Sequence, residues 1–448
     1  MAKKRTRGND GSLDDQTEVV GISSYDEMLL AAMQRGDETL QTGRYIVTYR
    51  EDAPEEGASF LESLGLRTAD ARDFDDQAVS VEDVGDADAL VFPEIGAAVI
   101  SAEAAAEREL DFAAAEDGSA PVEAIEPEYF VFADNSGDYL RGFRRAVETL
   151  TVDLGATPST GFAPAFSFAT DSELNEDVDA QVIGATWGLL ACRVPQTMRS
   201  GAGIKVAVLD TGMALNHPDF QGRQFFGQSF VGQPVQDLHS HGTHCIGTAC
   251  GPKAPAGPIP RYGIAHHSHI FVGKVLSNSG SGGTAGVLAG MNWAIARRCE
   301  VISMSLGSGA PPQAAYTAAG RAALNRGCLI IAAAGNSATN TGAPANSPTI
   351  MAVASLDATL SPSNFSNFGK IDIAAPGRDV YSSVPMPVRY GIKSGTSMAT
   401  PHVAGCAALW AHGNPSLRGQ ALWNKLQSSA RRLPFPRARV GAGLVQAP

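Results

Sequence analysis

The second half of the sequence has very few acidic residues. Residues 181–448 hold 7 of the 47 Asp and Glu residues and 21 of the 34 Lys and Arg residues, which gives this half a formal charge of +14. The first 180 residues hold the other 40 acids against 13 bases, a formal charge of −27. A split of this size predicts that the two halves attract each other electrostatically. An acidic solubilising segment without a partner is the alternative.

Cysteine is absent from the first half, and all six cysteines lie between Cys192 and Cys406. An even number permits disulfides, but buried free thiols are an equally good interpretation in a domain of this size. No run of about 18 apolar residues occurs, so no membrane span is expected. The basic N-terminus is not followed by an apolar segment, so no secretory signal is predicted. We therefore expect a cytoplasmic protein, with export by another route as the alternative.

The first half divides into three segments. Residues 1–43 are polar and are predicted to be a flexible extension with one helix-like stretch, SYDEMLLAAMQR. Residues 44–133 follow the order β-α-β-β-α-β, which fits a small α+β ferredoxin-like unit. Its predicted strands lie in RYIVTYR, AVSVEDV, GAAVISAE and PVEAIEPEYFVFA. Residues 134–182 contain Gly/Pro/Ser-rich stretches and an acidic run, which indicates a linker.

Residues 183–448 are predicted to form an α/β domain. Continuous apolar runs are typical of parallel strands buried on both faces. Four such runs are IKVAVLD, HIFVGKVL, EVISMSLG and CLIIAAAGN. Helix-like stretches lie between them, and the clearest, residues 284–299, has Thr284 as its candidate N-cap. This alternation predicts a parallel sheet flanked by helices.

Four polar residues follow predicted strands or begin predicted helices, where open α/β sheets place their sites. Asp210 ends a buried strand, His241 begins a helix-like stretch, Asn336 follows another strand, and Ser397 lies in SGTSMATPHVAG. One mechanism uses all four. Ser397 attacks a carbonyl, His241 carries the proton, and Asp210 orients and stabilises the imidazole. The Asn336 amide and the Ser397 backbone N–H stabilise the developing oxyanion.

Five motifs resemble those of the subtilases, the subtilisin-like serine proteases. They are VLDTGM, HGTHCIGT, SMSLGS, AAAGNS and GTSMATPHVAG, in that family's order, over roughly residues 183–448. The resemblance implies a subtilisin-like parallel sheet and a serine endopeptidase with the triad Asp210, His241 and Ser397 and with Asn336 as oxyanion donor. HGTHC is similar to the proteinase K branch. Cys245 should share a helix face with His241, either as a small buried side chain or as a mercurial-sensitive thiol.

The resemblance also assigns the residues that bind substrate. Their backbone is expected to pair with an extended peptide in β-strand fashion. They are Gly280, Ser281, Gly282, Ser305, Leu306, Gly307, Ala333, Ala334 and Gly335. No charged residue in these stretches argues for charged P1 selection, so an apolar or broad preference is expected. The Gly-rich loop 280–283 alone would also permit a phosphate cradle, but it lacks the GK[ST] ending.

A ferredoxin-like unit before such a domain resembles the inhibitory propeptide of the family. This implies a zymogen in which the unit assists folding, leaves its C-terminal tail in the cleft and is removed by autocatalytic cleavage. The cut is expected near Phe132–Gly137, in or before the processing region of the linker. Two alternatives are a dormant interaction protein whose acidic half stays bound, and a peptide ligase or cyclase that uses the same acyl-enzyme.

No cofactor is expected to be required. Asp219 matches a carboxylate that subtilases often use for calcium, but the loop after HGTHCIGT lacks the usual Asn-containing ligand run. Only a weak, carbonyl-lined calcium site is therefore compatible with the sequence. The histidines of AHHSH (265–269) are expected to serve loop packing, with metal binding as the alternative. The expected partners are polypeptide substrates and the chain's own N-terminal part, without nucleic acid or membrane, in a monomer.

Overall fold

The computed structural model describes residues 23–34, 39–107, 120–133 and 184–448. The predicted linker over residues 134–182 and most of the predicted cleavage region lie outside the described residues. None of the helices in the described ranges combines the length and apolar character that crossing a bilayer requires.

The N-terminal part is a helix followed by a mostly antiparallel sheet. Its elements are α1 (Ser24–Gln34), β1 (Gln41–Tyr49), α2 (Pro54–Ser63), β2 (Thr68–Asp70), β3 (Ala89–Phe92), β4 (Ala97–Ile100), α3 (Ala102–Glu107) and β5 (Val122–Phe132). The strand order is β2-β3-β4-β1-β5, and only β2 and β3 are parallel. This is the order β-α-β-β-α-β with β2 added at one edge.

Two segments of the N-terminal part differ from the prediction. AVSVEDV, predicted as a strand, contains a short 3₁₀ turn at Val81–Asp83 instead. The Asp83 carboxylate accepts hydrogen bonds from the Ser80 backbone N–H and hydroxyl at 3.0 and 2.8 Å, so the side chain takes the place of a strand neighbour. The prediction of a flexible extension over residues 1–43 does not hold for α1, where Tyr25 and Leu29 are fully buried. Residues 41–43 are also ordered, because β1 begins at Gln41.

The C-terminal part is built on a seven-stranded sheet. The strands of that sheet are β6 (Lys205–Asp210), β7 (Phe225–Ser229), β8 (His269–Lys274), β10 (Val301–Met304), β11 (Leu329–Ala333), β12 (Met351–Leu356) and β13 (Ile373–Pro376). Outside it, β9 (Ser281–Gly283) pairs with β5, and β14 (Val380–Ser383) pairs with β15 (Tyr390–Lys393). The helices of the C-terminal part are α4 (Trp187–Ala191), α5 (His241–Cys250), α6 (Thr284–Ala296), α7 (Ala314–Asn325), α8 (Thr396–Gly413), α9 (Gly419–Ser429) and α10 (Arg437–Val440).

The seven-stranded sheet has the order β13-β12-β11-β10-β6-β8-β7 and is parallel throughout. On β6, Val206 and Val208 pack into the apolar cluster that contains residues of α5 and α8, whereas Ala207 and Leu209 pack into the cluster that contains residues of α6 and α7. Both faces of the strand are therefore buried, which explains its continuous apolar sequence. The prediction of a parallel sheet flanked by helices is confirmed.

The two parts share a strand pairing and an apolar core. β5 continues the N-terminal sheet onto the C-terminal part by pairing antiparallel with β9. Ile46 and Leu90 of the N-terminal sheet belong to the same buried cluster as Val287 and Met291 of α6. The N-terminal sheet therefore packs against α6 and α7, the helices on one face of the parallel sheet.

Candidate active site

Asp210 and His241 meet at the carboxyl edge of the parallel sheet. Asp210 is the last residue of β6, and His241 is the first residue of α5. Asp210 Oδ1 lies 2.8 Å from His241 Nδ1 and also accepts the Thr211 N–H at 2.7 Å. Burial alone would lower the pKa of His241, but the Asp210 carboxylate outweighs this effect and raises the pKa well above its usual value. His241 Nε2 is buried and has no hydrogen-bond partner among the described residues.

Ser397 lies in the first turn of α8, where backbone N–H groups have no acceptor within the helix. Its Oγ lies 3.3 Å from the Ala133 carbonyl oxygen and 3.4 Å from that of Ser305. The Ser397 carbonyl accepts the Ser305 hydroxyl at 2.7 Å, which ties the start of α8 to the segment after β10. The side chain is thus aimed at a backbone carbonyl of the N-terminal part.

Asn336 follows β11 through a turn at Gly335, where φ is +108°. A side chain at Gly335 would also overlap the Asn367 amide, so only glycine suits this turn. Asn336 Oδ1 accepts the Thr396 N–H at 2.8 Å and the Thr396 hydroxyl at 2.9 Å. These bonds fix the amide so that Nδ2 remains as the donor. The sequence interpretation missed Thr396, although it stands directly before Ser397.

The predicted substrate-binding segments hold β5 of the N-terminal part. On one edge, Phe132 exchanges two backbone hydrogen bonds of 3.0 Å with Gly307. On the other edge, residues 130–132 pair with residues 281–283 of β9, and the Ala133 N–H donates to the Gly280 carbonyl at 2.9 Å. β5 therefore lies as an extended strand between the two segments.

A cavity of about 430 Å³ opens beside this strand. Ser397 and Asn336 line it together with Leu306 and residues 333–335. None of the described residues that line it carries a charged side chain. The structure thus brings the predicted residues Asp210, His241, Ser397 and Asn336 and the three predicted substrate segments to one cleft.

Two carboxylates of β5 bind helix N-termini of the C-terminal part. Glu128 Oε1 accepts the Ala285 N–H of α6 at 2.7 Å, and Glu126 Oε2 accepts the Ala314 N–H of α7 at 2.8 Å. Negative groups are stabilised at such positions by the helix dipole. Thr284 is therefore not the N-cap of α6 that the sequence predicted, because Gly283 holds that position and Glu128 supplies the acceptor. The sequence interpretation missed both carboxylates. The pattern that could have revealed them is a pair of acidic residues two positions apart on one predicted strand, which places them on the same face.

Ion pairs across the contact follow the charge split of the sequence. In each pair the acid belongs to the N-terminal part and the arginine to the C-terminal part. The pairs are Arg297–Asp76, Arg321–Glu51, Arg321–Glu123 and Arg326–Glu94. Most of these side chains keep a quarter or more of their surface exposed, so each pair contributes little on its own.

The six cysteines are free and buried, and Cys245 is the one beside the site. Its Sγ lies 3.9 Å from His241 Nδ1 and 3.6 Å from the Ser397 carbonyl oxygen. Burial raises the pKa of Cys245, so it stays a neutral thiol. Asp210, His241 and Cys245 are the only three potential metal ligands that converge within the described ranges, so the AHHSH histidines assemble no such group there.

The residues around Asp219 do not fit a calcium ion. Its carboxylate accepts the Tyr262 hydroxyl at 2.5 Å, the Tyr390 hydroxyl at 3.0 and 3.1 Å, and Arg389 Nη2 at 3.2 Å. Both oxygens are thus engaged by protein donors, one of them a cation. Calcium requires several oxygen ligands, and three protein donors already occupy this carboxylate.

Comparisons with known proteins agree with this geometry. The family model described as Subtilase family matches residues 201–443. An alkaline protease of Alkalihalobacillus alcalophilus is 38% identical over 291 residues, which cover 63% of this chain and 73% of the relative. Subtilisin Savinase of Lederbergia lenta is 40% identical over 268 residues, 58% of this chain and 96% of the relative. A solved structure of a cold-adapted subtilisin-like serine proteinase is 34% identical with a TM-score of 0.51, and the match covers 59% of this chain and 98% of that one.

The family match covers more than half of the chain, and it includes the Asp210, His241, Asn336 and Ser397 positions. The chain belongs to the subtilase family. Its activity class follows from the same matches, and it is a subtilisin-like serine endopeptidase.

Proposed function

We propose that this chain is the zymogen of the endopeptidase, with its N-terminal part as an intramolecular inhibitor. The observation that carries the proposal is the position of Ala133, whose carbonyl oxygen lies 3.3 Å from Ser397 Oγ at the end of a strand bound in the cleft. A peptide held between two binding segments with a carbonyl at the nucleophile has the arrangement of a substrate. We therefore assign autocatalytic cleavage to the bond after Ala133 or one close to it.

In the proposed mechanism, Ser397 Oγ attacks the carbonyl carbon and forms an acyl-enzyme. His241 Nε2 takes the Ser397 proton and later returns it to the leaving amine. Asp210 fixes the imidazole through Nδ1 and stabilises the imidazolium that forms. Asn336 Nδ2 and the Ser397 N–H stabilise the oxyanion, and the short Asp210–His241 contact and the fixed Asn336 amide support these roles. Water then releases the acyl group.

The inhibitory role rests on contacts that a short product peptide could not make. Besides the strand pairing, Glu126 and Glu128 bind the N-termini of α7 and α6, and the N-terminal sheet shares an apolar cluster with α6. After cleavage these contacts would hold the N-terminal part on the cleft. Its release would then control the appearance of activity.

An apolar or broad P1 preference is part of the proposal. It is supported by the cavity beside Ser397, which Leu306 and Ala333 line and which no charged side chain among its described lining residues enters. Burial of an apolar side chain there would contribute about 25 cal/mol per Å² of apolar surface removed from water.

Intact mass spectrometry of the wild-type chain and the Ser397→Ala variant over time tests the proposal. We expect the wild type to be cut after residue 133 and before residue 184, and the variant to stay whole. Equal cleavage of both chains would remove Ser397 from its role. If neither chain is cut, the dormant interaction protein becomes the better assignment.

A further inference from the structure

Helix α1 covers one face of the bound strand β5. Successive side chains of a strand point to opposite faces. Val131 and Ala133 belong to the apolar cluster that the N-terminal sheet shares with α6, whereas Phe130 and Phe132 belong to a cluster with Tyr25 of α1. Phe130 is completely buried and Phe132 is 1% exposed. The second face of the bound strand is therefore covered by the chain's own helix.

Asp26 of α1 binds three hydroxyl groups beside the cleft. Its Oδ1 accepts hydrogen bonds from Ser277, Ser279 and Ser281 at 3.1, 2.5 and 2.5 Å. The three hydroxyl oxygens lie 2.6 to 3.2 Å from one another, so they converge on one position. Ser277 and Ser281 are fully buried. The same turn carries Gly280, whose carbonyl receives the Ala133 N–H.

A buried cation makes these surroundings favourable for a carboxylate. Lys274 is fully buried, and its Nζ donates to the Thr211 carbonyl and to Asn278 Oδ1. Burial lowers the pKa of Lys274 to about 8, while the carboxylates of Asp237, Asp210 and Asp26 act to raise it. Charge-assisted hydrogen bonds and a nearby opposite charge offset the cost of removing Asp26 from water.

Tyr25 fixes α1 in register with this pocket. Its hydroxyl accepts the Gly286 N–H of α6 at 3.2 Å and donates to Glu128 Oε1 at 3.4 Å. The Arg44 guanidinium lies over the Tyr25 ring, 5.4 Å from its centroid. A side chain at Gly283 would overlap the ring, so β9 is shaped to let Tyr25 approach.

We propose that the three hydroxyls of Ser277, Ser279 and Ser281 form a carboxylate-binding pocket on the protease domain, and that Asp26 is its ligand. Helix α1 is then a second inhibitory segment, which clamps the bound strand from the outer side. This inference rests on the proposed function, because it gives α1 a part in the same inhibition. Its consequence is a slower release of the N-terminal part after the chain is cut.

The test uses the full chain with one substitution at a time. Asp26→Asn removes the charge that the pocket binds and keeps the side-chain shape. Glu27→Gln is the matched control, because it removes one charge from the next residue of α1, whose side chain is exposed. Tyr25→Phe deletes a single hydroxyl and is the second test variant. Intact mass spectrometry measures cleavage of the chain, and hydrolysis of an added peptide substrate measures release of the N-terminal part.

We expect Asp26→Asn to be cut as fast as the wild type and to gain activity after a lag about tenfold shorter, which corresponds to about 1.4 kcal/mol. Tyr25→Phe should shorten the lag in the same direction, and Glu27→Gln should leave it unchanged. An Asp26→Asn lag equal to that of Glu27→Gln would overturn the proposal. A wild-type chain that is never cut would instead overturn the proposed zymogen.

A second measurement does not depend on cleavage. In the Ser397→Ala background the chain is expected to stay whole, and amide hydrogen exchange measures how often the turn with Ser277, Ser279 and Ser281 opens. Asp26→Asn should raise exchange in residues 277–283 while Glu27→Gln does not. Unchanged exchange with Asp26→Asn would refute the pocket whatever the fate of the zymogen proposal.

Discussion

The carboxylate of Asp219 is held by protein donors, so its removal should destabilise the fold and calcium removal should not. Asp219→Ala would leave the Tyr262 and Tyr390 hydroxyls without their acceptor. A hydrogen bond to a charged group contributes about 1.5–3 kcal/mol when it is buried. The fully buried Tyr262 should lose this amount and the partly exposed Tyr390 less, a total of about 2–4 kcal/mol. The sum covers the two hydroxyls only and leaves out the ion pair with Arg389, whose side chain is 30% exposed.

A loss of this size predicts a fall in melting temperature of about 10 °C, since a domain of this length changes by about 2–4 °C per kcal/mol. Thermal unfolding should be measured in the Ser397→Ala background, which prevents self-digestion, with and without EGTA. Asp379→Asn, an exposed carboxylate, is the control. The reasoning is refuted if EGTA lowers the melting temperature of the parent and Asp219→Ala abolishes the effect of EGTA, because the carboxylate would then hold calcium.

Three further predictions concern the proposed processed enzyme and the proposed inhibitory role of the N-terminal part. Asn336→Ala should lower kcat by about 10²–10³-fold, a magnitude carried over from subtilisin itself, with little change in KM in peptide hydrolysis assays. Because the pKa of His241 is raised and the base must be neutral, kcat/KM should increase with pH through an acidic limb above about 6.5, and Asp210→Asn should move the limb to lower pH. Burial raises the pKa of Glu128 when the N-terminal part is bound, so binding is accompanied by proton uptake. Proton uptake strengthens binding fully at pH values below the pKa of the unbound Glu128. This gain in affinity is lost as the pH rises through the pKa of the bound Glu128. The release rate should thus increase with pH across the carboxyl titration range, and Glu128→Gln should weaken this dependence; a release rate independent of pH in the parent would contradict it.

The parallel sheet and the meeting of the candidate catalytic residues at one of its edges were predictable because their signals are local. Apolar runs such as that of β6 are continuous only in strands covered on both faces. Asp210 is the last residue of such a strand and Asn336 comes shortly after another, so their position at the carboxyl edge of the sheet could be predicted before any contact was known. The motifs around His241 and Ser397 added the order and the chemistry.

The features that the sequence did not reveal depend on residues far apart in the chain. Thr284 had the character of an N-cap, but Glu128 from a strand more than 150 residues away supplies the acceptor instead. AVSVEDV alternated like a strand, yet the Asp83 carboxylate captured the Ser80 N–H. Asp26 lies in the segment that was predicted to be a flexible extension. Its contacts could not be predicted from the sequence, because its partners are three serines that begin 251 residues later. Local propensity carries no information about such pairings.

The alternating side chains of β5 also constrain how related sequences can vary. Residues 131 and 133 belong to the apolar cluster that contains residues of α6 and α7, so they should change together with the residues of that cluster. Residues 130 and 132 meet α1, so they should change together with Tyr25 and Leu29. Relatives without a helix at this position should therefore carry small or polar residues in place of Phe130 and Phe132, while keeping the pattern at the other two positions. Alternate positions of one strand would then covary with two different sets of residues.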